Sequence, residues 1–322
     1  MSVQIKEYDH VPETLQGTDH ALFFPAKHQQ SSYYRWRTNR NIGWITDGEQ
    51  ETLRHAVVGI AGTGGMGGLL AATLVRLGVG EIRIADSEMF DVSNLNRQFG
   101  ATRLSVGRSK ALETARLIRD IADDTDLIVY PQGITADTVD DFIEGCTVIC
   151  DEIEFWALGS RILLHEKTRL SGVSLFNCNS VGFASHLFLF RPDSVPIEKL
   201  VGVTRDEAYE LERKIQNEKA SANEISRVME CMLRILVPRL PEYCSGFADY
   251  RTADAVRERL FGEQQASIIA TNPPFATGFL ANHVLLYLLR NSRIERTTIA
   301  PPEPPGYLYL DSVLMQARSI TY

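Results

Sequence analysis

The stretch "GIAGTGGMGG" (59–68) decides how the rest of the chain is read. "HAVVGIAG" (55–62) is a short apolar run ending in glycine, the form of a central parallel strand. "GMGGLLAATLVRLG" (65–78) follows with helical spacing and a glycine stop. Gly62, Gly64 and Gly67 fit G-x-G-x-x-G, with Gly65 between the last two. Glycine in such a turn lets the backbone approach an anionic phosphate, whose charge meets N–H groups at the helix start. Asp86 lies 24 residues beyond Gly62, at the tip of a second strand, "EIRIAD" (81–86), where a carboxylate can bond ribose hydroxyls. The same glycines also permit tight strand–helix packing with no ligand at all. Taken alone, the pattern does not tell NAD from FAD or ATP.

Outward from this turn the alternation continues. "VGRSKALETARLIRDIA" (106–122) is predicted helical, with Gly107 near its start. "DLIVYP" (126–131), "TADTVDDFIEG" (135–145) and "CTVICD" (146–151) read as strand, helix and strand. "ALGSRILLHEKTRLSG" (157–172) and "VSLFNC" (173–178) add a helix and another strand. Such a run predicts an α/β fold with a doubly wound, mostly parallel, Rossmann-like sheet and ligands at the strand C-termini. After "ASHLFLFRP" (184–192) the character changes, and residues 205–262 are charged with helical spacing. They read as a helical insertion rather than an independent domain. "IIATNPPFATGFLANHVLLYLLRN" (268–291) is a long apolar helix suited to packing on the sheet. Asn272, two prolines, Asn282 and His283 interrupt it, which favours a core helix over a membrane span. "PPEPPG" (301–306) is a stiff linker before a final strand, "YLYLDSV" (307–313). The expected divisions are an N-terminal arm and helix (1–54), a nucleotide-binding core (55–195), the insertion (196–265), and a C-terminal helix and strand completing the core (266–322).

Composition narrows the classes. The 322 residues are 44% hydrophobic and 23% charged, an ordinary globular balance. A net charge of -8 and a pI near 5.5 argue against a general nucleic-acid or membrane surface. "MSVQIKEYDHVPETLQ" (1–16) has no basic segment followed by an apolar run, so no secretory signal is expected. Five cysteines, at 146, 150, 178, 231 and 244, form no CxxC pair, and a reduced, cytoplasmic protein is the expectation.

The segment behind Asp86 separates the nucleotide classes. "DSEMFDVSNLNRQ" (86–98) carries an acid for a ribose and then an Asn-rich, Arg-bearing run that a dehydrogenase does not need. "SNLNRQ" (93–98), "VGRSKA" (106–111) and an aspartate ending the strand at 151 together resemble the ThiF/MoeB/HesA superfamily, the fold of ubiquitin-activating enzymes. The resemblance covers roughly residues 40–195 and, weakly, 268–291. It implies an ATP-dependent enzyme that joins AMP to a carboxylate, usually the C-terminal glycine of a small protein, with release of pyrophosphate. By the same resemblance Asp86 would hold the ribose, while Asn94, Arg97 and Gln98 would line the triphosphate. Lys110 would pair with phosphate oxygens, and Asp151 would carry Mg²⁺ at the α-phosphate.

The chemistry makes similar demands on its own account. Acyl adenylation drives a carboxylate against a polyanionic phosphate, so catalysis rests on positioning and on cations that neutralise charge. Arg97 offers a planar fork, Lys110 a mobile point charge, and Asp151 a hard oxygen donor. Each has a plainer use: Asn94 in its own loop, Lys110 on a solvated helix face, and Asp151 as a helix cap.

Upstream, "RTNRNIGWITDGEQETL" (37–53) resembles the family's N-terminal segment. There an arginine reaches the γ-phosphate of the other subunit of a homodimer. Arg40 matches best and Arg37 second, with a surface arginine as the plainer alternative. The chain also departs from the family. Without CxxC pairs no structural zinc is expected. "DEIEF" (151–155) has Glu154 where a second acid is usual and Phe155 where an amide is usual. Cys178 ends a strand beside the site and Cys231 and Cys244 lie in the insertion, but a buried inert thiol suits each, and none is assigned to catalysis. The leading function is therefore ATP-dependent adenylation of a small-protein or peptide carboxylate by a homodimer. The alternatives are an NAD(P)- or FAD-dependent oxidoreductase, and a catalytically silent partner subunit.

Overall fold

A computed structural model describes residues 5–8, 20–23, 30–238, 241, 258–260, 262–263, 265–292, 294 and 299–322. The period of two in β3 (Val57–Ala61) organises the fold. Val58 and Ile60 enter one apolar cluster and Ala61 the other, so both faces of this strand are covered. A Cβ on Gly59 would sit 2.6 Å from Ile149 and 3.0 Å from Phe142, and glycine here lets the second face close on the sheet.

Among the described residues the sheet has ten strands. β1 (Ile5–Tyr8), β2 (His20–Phe23), β4 (Glu81–Ala85), β5 (Asp126–Tyr130), β6 (Val148–Asp151), β7 (Leu175–Val181), β8 (Ala184–Phe190), β9 (Tyr307–Asp311) and β10 (Gln316–Ile320) join β3. Their order is β1-β2-β5-β4-β3-β6-β7-β8-β9-β10. Strands β5, β4, β3, β6 and β7 are mutually parallel, and β8, β9 and β10 continue antiparallel. The chain winds from β3 outward to β5, then restarts beside β3 at β6. A ligand crevice is expected at that reversal, outside the strand ends. The mostly parallel, doubly wound α/β architecture read from the sequence is the one observed.

One face carries α3 (Gly67–Leu77), α4 (Lys110–Ile121) and α10 (Asn272–Leu288). The other carries α5 (Val139–Ile143), α6 (Leu158–Leu170), α7 (Ile197–Val201), α8 (Arg205–Gln216) and α9 (Ala222–Leu236). Before the core come α1 (Gln30–Thr38), a 3-10 turn (Asn39–Asn41) and α2 (Asp47–Arg54), the last opened by a Thr46–Glu49 capping box.

Several boundaries differ from the sequence reading, each for a local reason. Helix α4 starts at Lys110 rather than at 106, because Ser109 caps it and Gly107 turns with φ +79°. Pro273 and Pro274 do not interrupt α10 but occupy its first turn, where a missing N–H costs nothing. The final strand is a hairpin of β9 and β10, and β10 is outward-facing and polar enough to have escaped notice. Among the described residues, no helix is long and apolar enough to cross a membrane.

The insertion is fastened to the core at α6. A Cβ on Gly159 would lie 2.9 Å from the Tyr209 Cα, so α6 and α8 approach closely there. Glu212, buried on α8, accepts from the Ser160 amide and hydroxyl, each at 2.8 Å, and so caps the N-terminal turn of α6. At the other end Arg205 pairs with Glu166 at 3.2 Å, which makes the two helices antiparallel.

Candidate nucleotide site

A cleft of about 1960 Å³ opens where β3, β4 and β6 end. Gly62, Gly64, Gly65, Asp86, Asn94, Arg97, Gln98, Lys110 and Asp151 all line it, while Gly67 and Arg40 do not. The glycines divide into two kinds. A Cβ on Gly62 (φ +96°) would meet the Glu152 carbonyl oxygen at 2.0 Å, and one on Gly67 would meet the Gly62 carbonyl oxygen at 1.9 Å. Those two are required by packing, as the plainer reading had it. Gly64 is not: its nearest neighbour would be the Gln98 side chain at 3.6 Å. Its backbone therefore faces the cleft without steric cover, as a phosphate-binding turn requires.

Asp86 pins this turn. One oxygen accepts from the Thr63 amide (2.7 Å) and hydroxyl (3.0 Å), the other from the Glu88 amide (2.9 Å). Burial raises its carboxyl, with Lys110 partly opposing. The acid more open to solvent at this strand end is Glu88, two residues on, whose side chain is 48% exposed. Glu88 Oε2 holds the buried Lys110 Nζ at 2.6 Å. Sequence reasoning passed over Glu88, although it stands inside the decisive segment.

The 3-10 turn Val92–Asn96 is shaped by an Asp91–Asn94 capping box in which Asn94 Oδ1 accepts from the Asp91 amide. Arg97 donates to the Ser93 carbonyl at 3.0 Å and to Asn96 Oδ1 at 2.9 Å. Burial lowers its pKa, with Glu88 opposing. Gln98 is buried, and its Oε1 has no protein partner. A buried, unpartnered acceptor beside the glycine turn suits a bound polar ligand.

Asp151 requires a correction. It is 0% exposed, and Oδ2 is taken by Arg161 Nε (2.8 Å), His165 Nε2 (2.9 Å) and Asn177 Nδ2 (3.3 Å). Oδ1 accepts from the Ile153 amide at 3.1 Å. Burial alone would raise its carboxyl, but the Arg161 guanidinium and His165 outweigh it and hold it below the usual range. As arranged, this side chain anchors the 151–157 turn and does not fit a Mg²⁺ ligand. Arg161, 1% exposed, completes the anchor by donating to the Ile153 carbonyl. Glu152 and Glu154 of this turn also line the cleft, and Glu154 is the more exposed of the two although protein surrounds it. That enclosure pushes its carboxyl up to about 7, with Glu88 and Glu212 adding to the rise and the Trp156 amide and Arg161 opposing it. Among the described residues no cluster of three or more metal-binding side chains occurs.

The remaining candidates separate cleanly. Arg37 is consumed in the fold, donating to Asp124 (2.7 Å) and to the Val75 carbonyl (2.7 Å). Arg40 is exposed on the 3-10 turn at 39–41. Cys146, Cys150, Cys178 and Cys231 are buried free thiols. Burial pushes Cys146 up to about 12 and raises the others too, the opposite of an activated nucleophile. Cys244 lies outside the described residues.

A glycine turn on the central strand, two basic side chains and a buried amide share one cleft at the strand ends of this α/β fold. The chain belongs to the ThiF family, whose profile matches residues 38–320. It is 30% identical over 149 residues to the sulfur carrier protein ThiS adenylyltransferase of Bacillus subtilis, covering 46% of this chain and 44% of that one. It is 28% identical over 155 residues to mouse adenylyltransferase and sulfurtransferase MOCS3, covering 47% and 33%. The chain thus spans less than half the length of these curated relatives. In three dimensions it is similar to PaaA (TM-score 0.60, 14% identity, 92% of this chain and 76% of that one). It is also similar to E. coli MccB crystallised with ATP (TM-score 0.57, 15% identity, 88% and 70%). Both likenesses concern the fold.

Proposed function

We propose that this chain uses ATP to adenylate a carboxylate, at the C-terminus or on a side chain of a small protein or peptide. The observation that carries this is that Lys110, Arg97 and the buried Gln98, whose Oε1 has no protein partner, line one cleft together with the open backbone at Gly64. The two curated relatives named above are adenylyltransferases, which supports the same reading. A substrate carboxylate oxygen bonds to the α-phosphorus, the bond to the β-phosphate oxygen breaks, and pyrophosphate leaves with the electron pair. Negative charge grows on the leaving group, where Lys110 and Arg97 neutralise it. In the free protein Glu88 supplies the counter-charge for Lys110, and phosphate oxygens take that place when the nucleotide binds. Once Lys110 turns to the phosphates, Glu88 rather than Asp86 is the carboxylate we assign to the ribose hydroxyls, since both oxygens of Asp86 are already bonded. Mg²⁺, if carried, would offset phosphate charge, and we assign Glu154 to it, alongside phosphate oxygens and water. Nothing in the cleft favours the oxidoreductase alternative, since a nicotinamide or flavin needs no such basic pair.

Isothermal titration is expected to show ATP binding in the presence of Mg²⁺ and negligible binding of NAD or NADP. Tight NAD binding without ATP affinity would move the chain into the oxidoreductase class, and ATP binding without turnover on any carboxylate would make it a silent partner.

Glu154 gives a pH test. With its carboxyl pushed up to about 7 in the metal-free protein, Glu154 is expected to carry its charge above that pH and to lose it below. Because Mg²⁺ favours the carboxylate, the fall of adenylation on acidification is expected below pH 7 at saturating Mg²⁺ and is expected to move toward 7 as Mg²⁺ is lowered, while Glu154→Gln is expected to be slow throughout and to lack that limb. An unchanged acid limb in the variant assigns the titration to another group.

We also propose a homodimer in which Arg40 serves the partner's cleft. Arg40 lies outside its own cleft, and the neighbouring Trp36, Ile42 and Trp44 are 78%, 40% and 89% exposed. Large apolar side chains grouped in one short segment are the mark of a contact surface.

A further inference from the structure

Two asparagines on β7 carry the Asp151 anchor out to the wall of the cleft. Asn177 is 3% exposed, and its Nδ2 donates to the Asp151 carbonyl oxygen at 2.9 Å and to Asp151 Oδ2 at 3.3 Å. A carbonyl and a carboxylate only accept, so the Asn177 amide has one usable orientation, with Nδ2 toward Asp151 and Oδ1 away from it. That Oδ1 accepts from Asn179 Nδ2 at 2.7 Å. The second amide is thereby fixed as the first was, because turning it over would set two carbonyl oxygens against each other. Its own carbonyl oxygen is the end left over, and among the described residues no donor reaches Asn179 Oδ1. Asn179 is partly exposed and lines the cleft, whereas Asn177 does not. The pair thus delivers to the cleft a hydrogen-bond acceptor of fixed direction.

The strand order says which part of the cleft receives it. β4, which leads to Glu88, and β7 stand on opposite sides of β3 and its glycine turn, with β6 between β3 and β7. Lys110 is held on the β4 side by Glu88. With the ribose assigned to Glu88, the β6–β7 side is left for the group that joins the α-phosphate. We propose that Asn179 is a specificity-determining residue, whose carbonyl oxygen accepts from an N–H donor close to the carboxylate being activated. This rests on the adenylation proposed above and adds a chemical requirement beside the reacting group. An amide nitrogen separated from the carboxyl carbon by a single carbon meets that requirement, and an ester oxygen in the same place does not. A site that offers an unpaired acceptor rejects an analogue without the donor, since the acceptor then stays unpaired. Asn177 is a positioning residue, acting only through the orientation it gives Asn179.

The test compares two matched pools of probes on the full chain with ATP and Mg²⁺, and reads pyrophosphate release. One pool holds N-acetyl dipeptides with free C-termini. The other holds the same compounds with the last amide N–H replaced by an ester oxygen. The amide pool should be used at least about 10-fold faster. Asn179→Leu removes the acceptor and should bring the ratio close to one. Asn177→Leu leaves Asn179 in place but frees its amide to turn, and should also lower the ratio. A loss of folded protein slows both pools equally and does not move it. Equal use of the two pools by the unmodified chain, which needs no variant to fold, or a ratio unmoved by Asn179→Leu would overturn the assignment. A ratio lost in Asn179→Leu but intact in Asn177→Leu would overturn the positioning by Asn177. Release from neither pool while ATP binds would strike the adenylation proposal itself.

Discussion

A preparation in which Lys110→Ala and Arg40→Ala subunits have exchanged is expected to regain up to about a quarter of wild-type adenylation, although each variant alone is nearly inactive. Removing Lys110 takes one preorganised cation from the leaving group, a loss of about 100- to 1,000-fold. Removing an arginine supplied across an interface costs about 1,000-fold or more in phosphoryl-transfer systems. In the mixed dimer one cleft has lost both groups and the other has lost neither. Random exchange makes half the dimers mixed, each with one working cleft of two. The structure motivates the pairing: Lys110 lines the cleft of its own chain and Arg40 does not. Failure to recover activity after exchange has been confirmed by native mass spectrometry would return Arg40 to an ordinary surface role.

Asp151→Ala is expected to destabilise the protein by about 3–5 kcal/mol even with metal chelated, because it leaves the buried Arg161 without a counter-charge. Both side chains are almost wholly excluded from water, at 0% and 2%. The pH dependence follows from the sign of the shift. A carboxyl held below its ordinary range contributes stability that is fully present above the unfolded value of about 4 and is lost as pH falls through the folded value. Wild type and variant should therefore differ most near neutrality and converge in acid. Denaturant titration in EDTA measures this directly. Wild-type stability in the variant, with activity alone lost, would restore Asp151 to the role of a metal ligand.

The parts of the molecule visible in the sequence were those fixed by periodicity and short-range chemistry. The β3 turn, the alternation that follows and the segment ending in Gln98 are local patterns, and the cleft gathers them together. The role of Asp151 was not visible, because it depends on Arg161 and His165 on the next helix, and both look like ordinary helix residues in sequence. Glu88 was hidden for another reason: its neighbour Asp86 is the better-known acid, and only the three bonds that Asp86 accepts show which carboxylate remains open. The β9–β10 hairpin escaped because an outward-facing edge strand lacks the apolar alternation that marks a buried one.

The carboxylate that Glu212 lends to the first turn of α6 makes the insertion a poor candidate for modular exchange. Helix α6 follows directly from the turn that Asp151 anchors, so the floor of the nucleotide cleft begins with backbone amides satisfied from a different segment of the chain. A graft that replaced 196–265 with unrelated sequence would inherit an unsatisfied helix end beneath the cleft unless it brought an acid to the same point. The exposed face of α8 can change without touching this contact, but the helix itself is not free to leave.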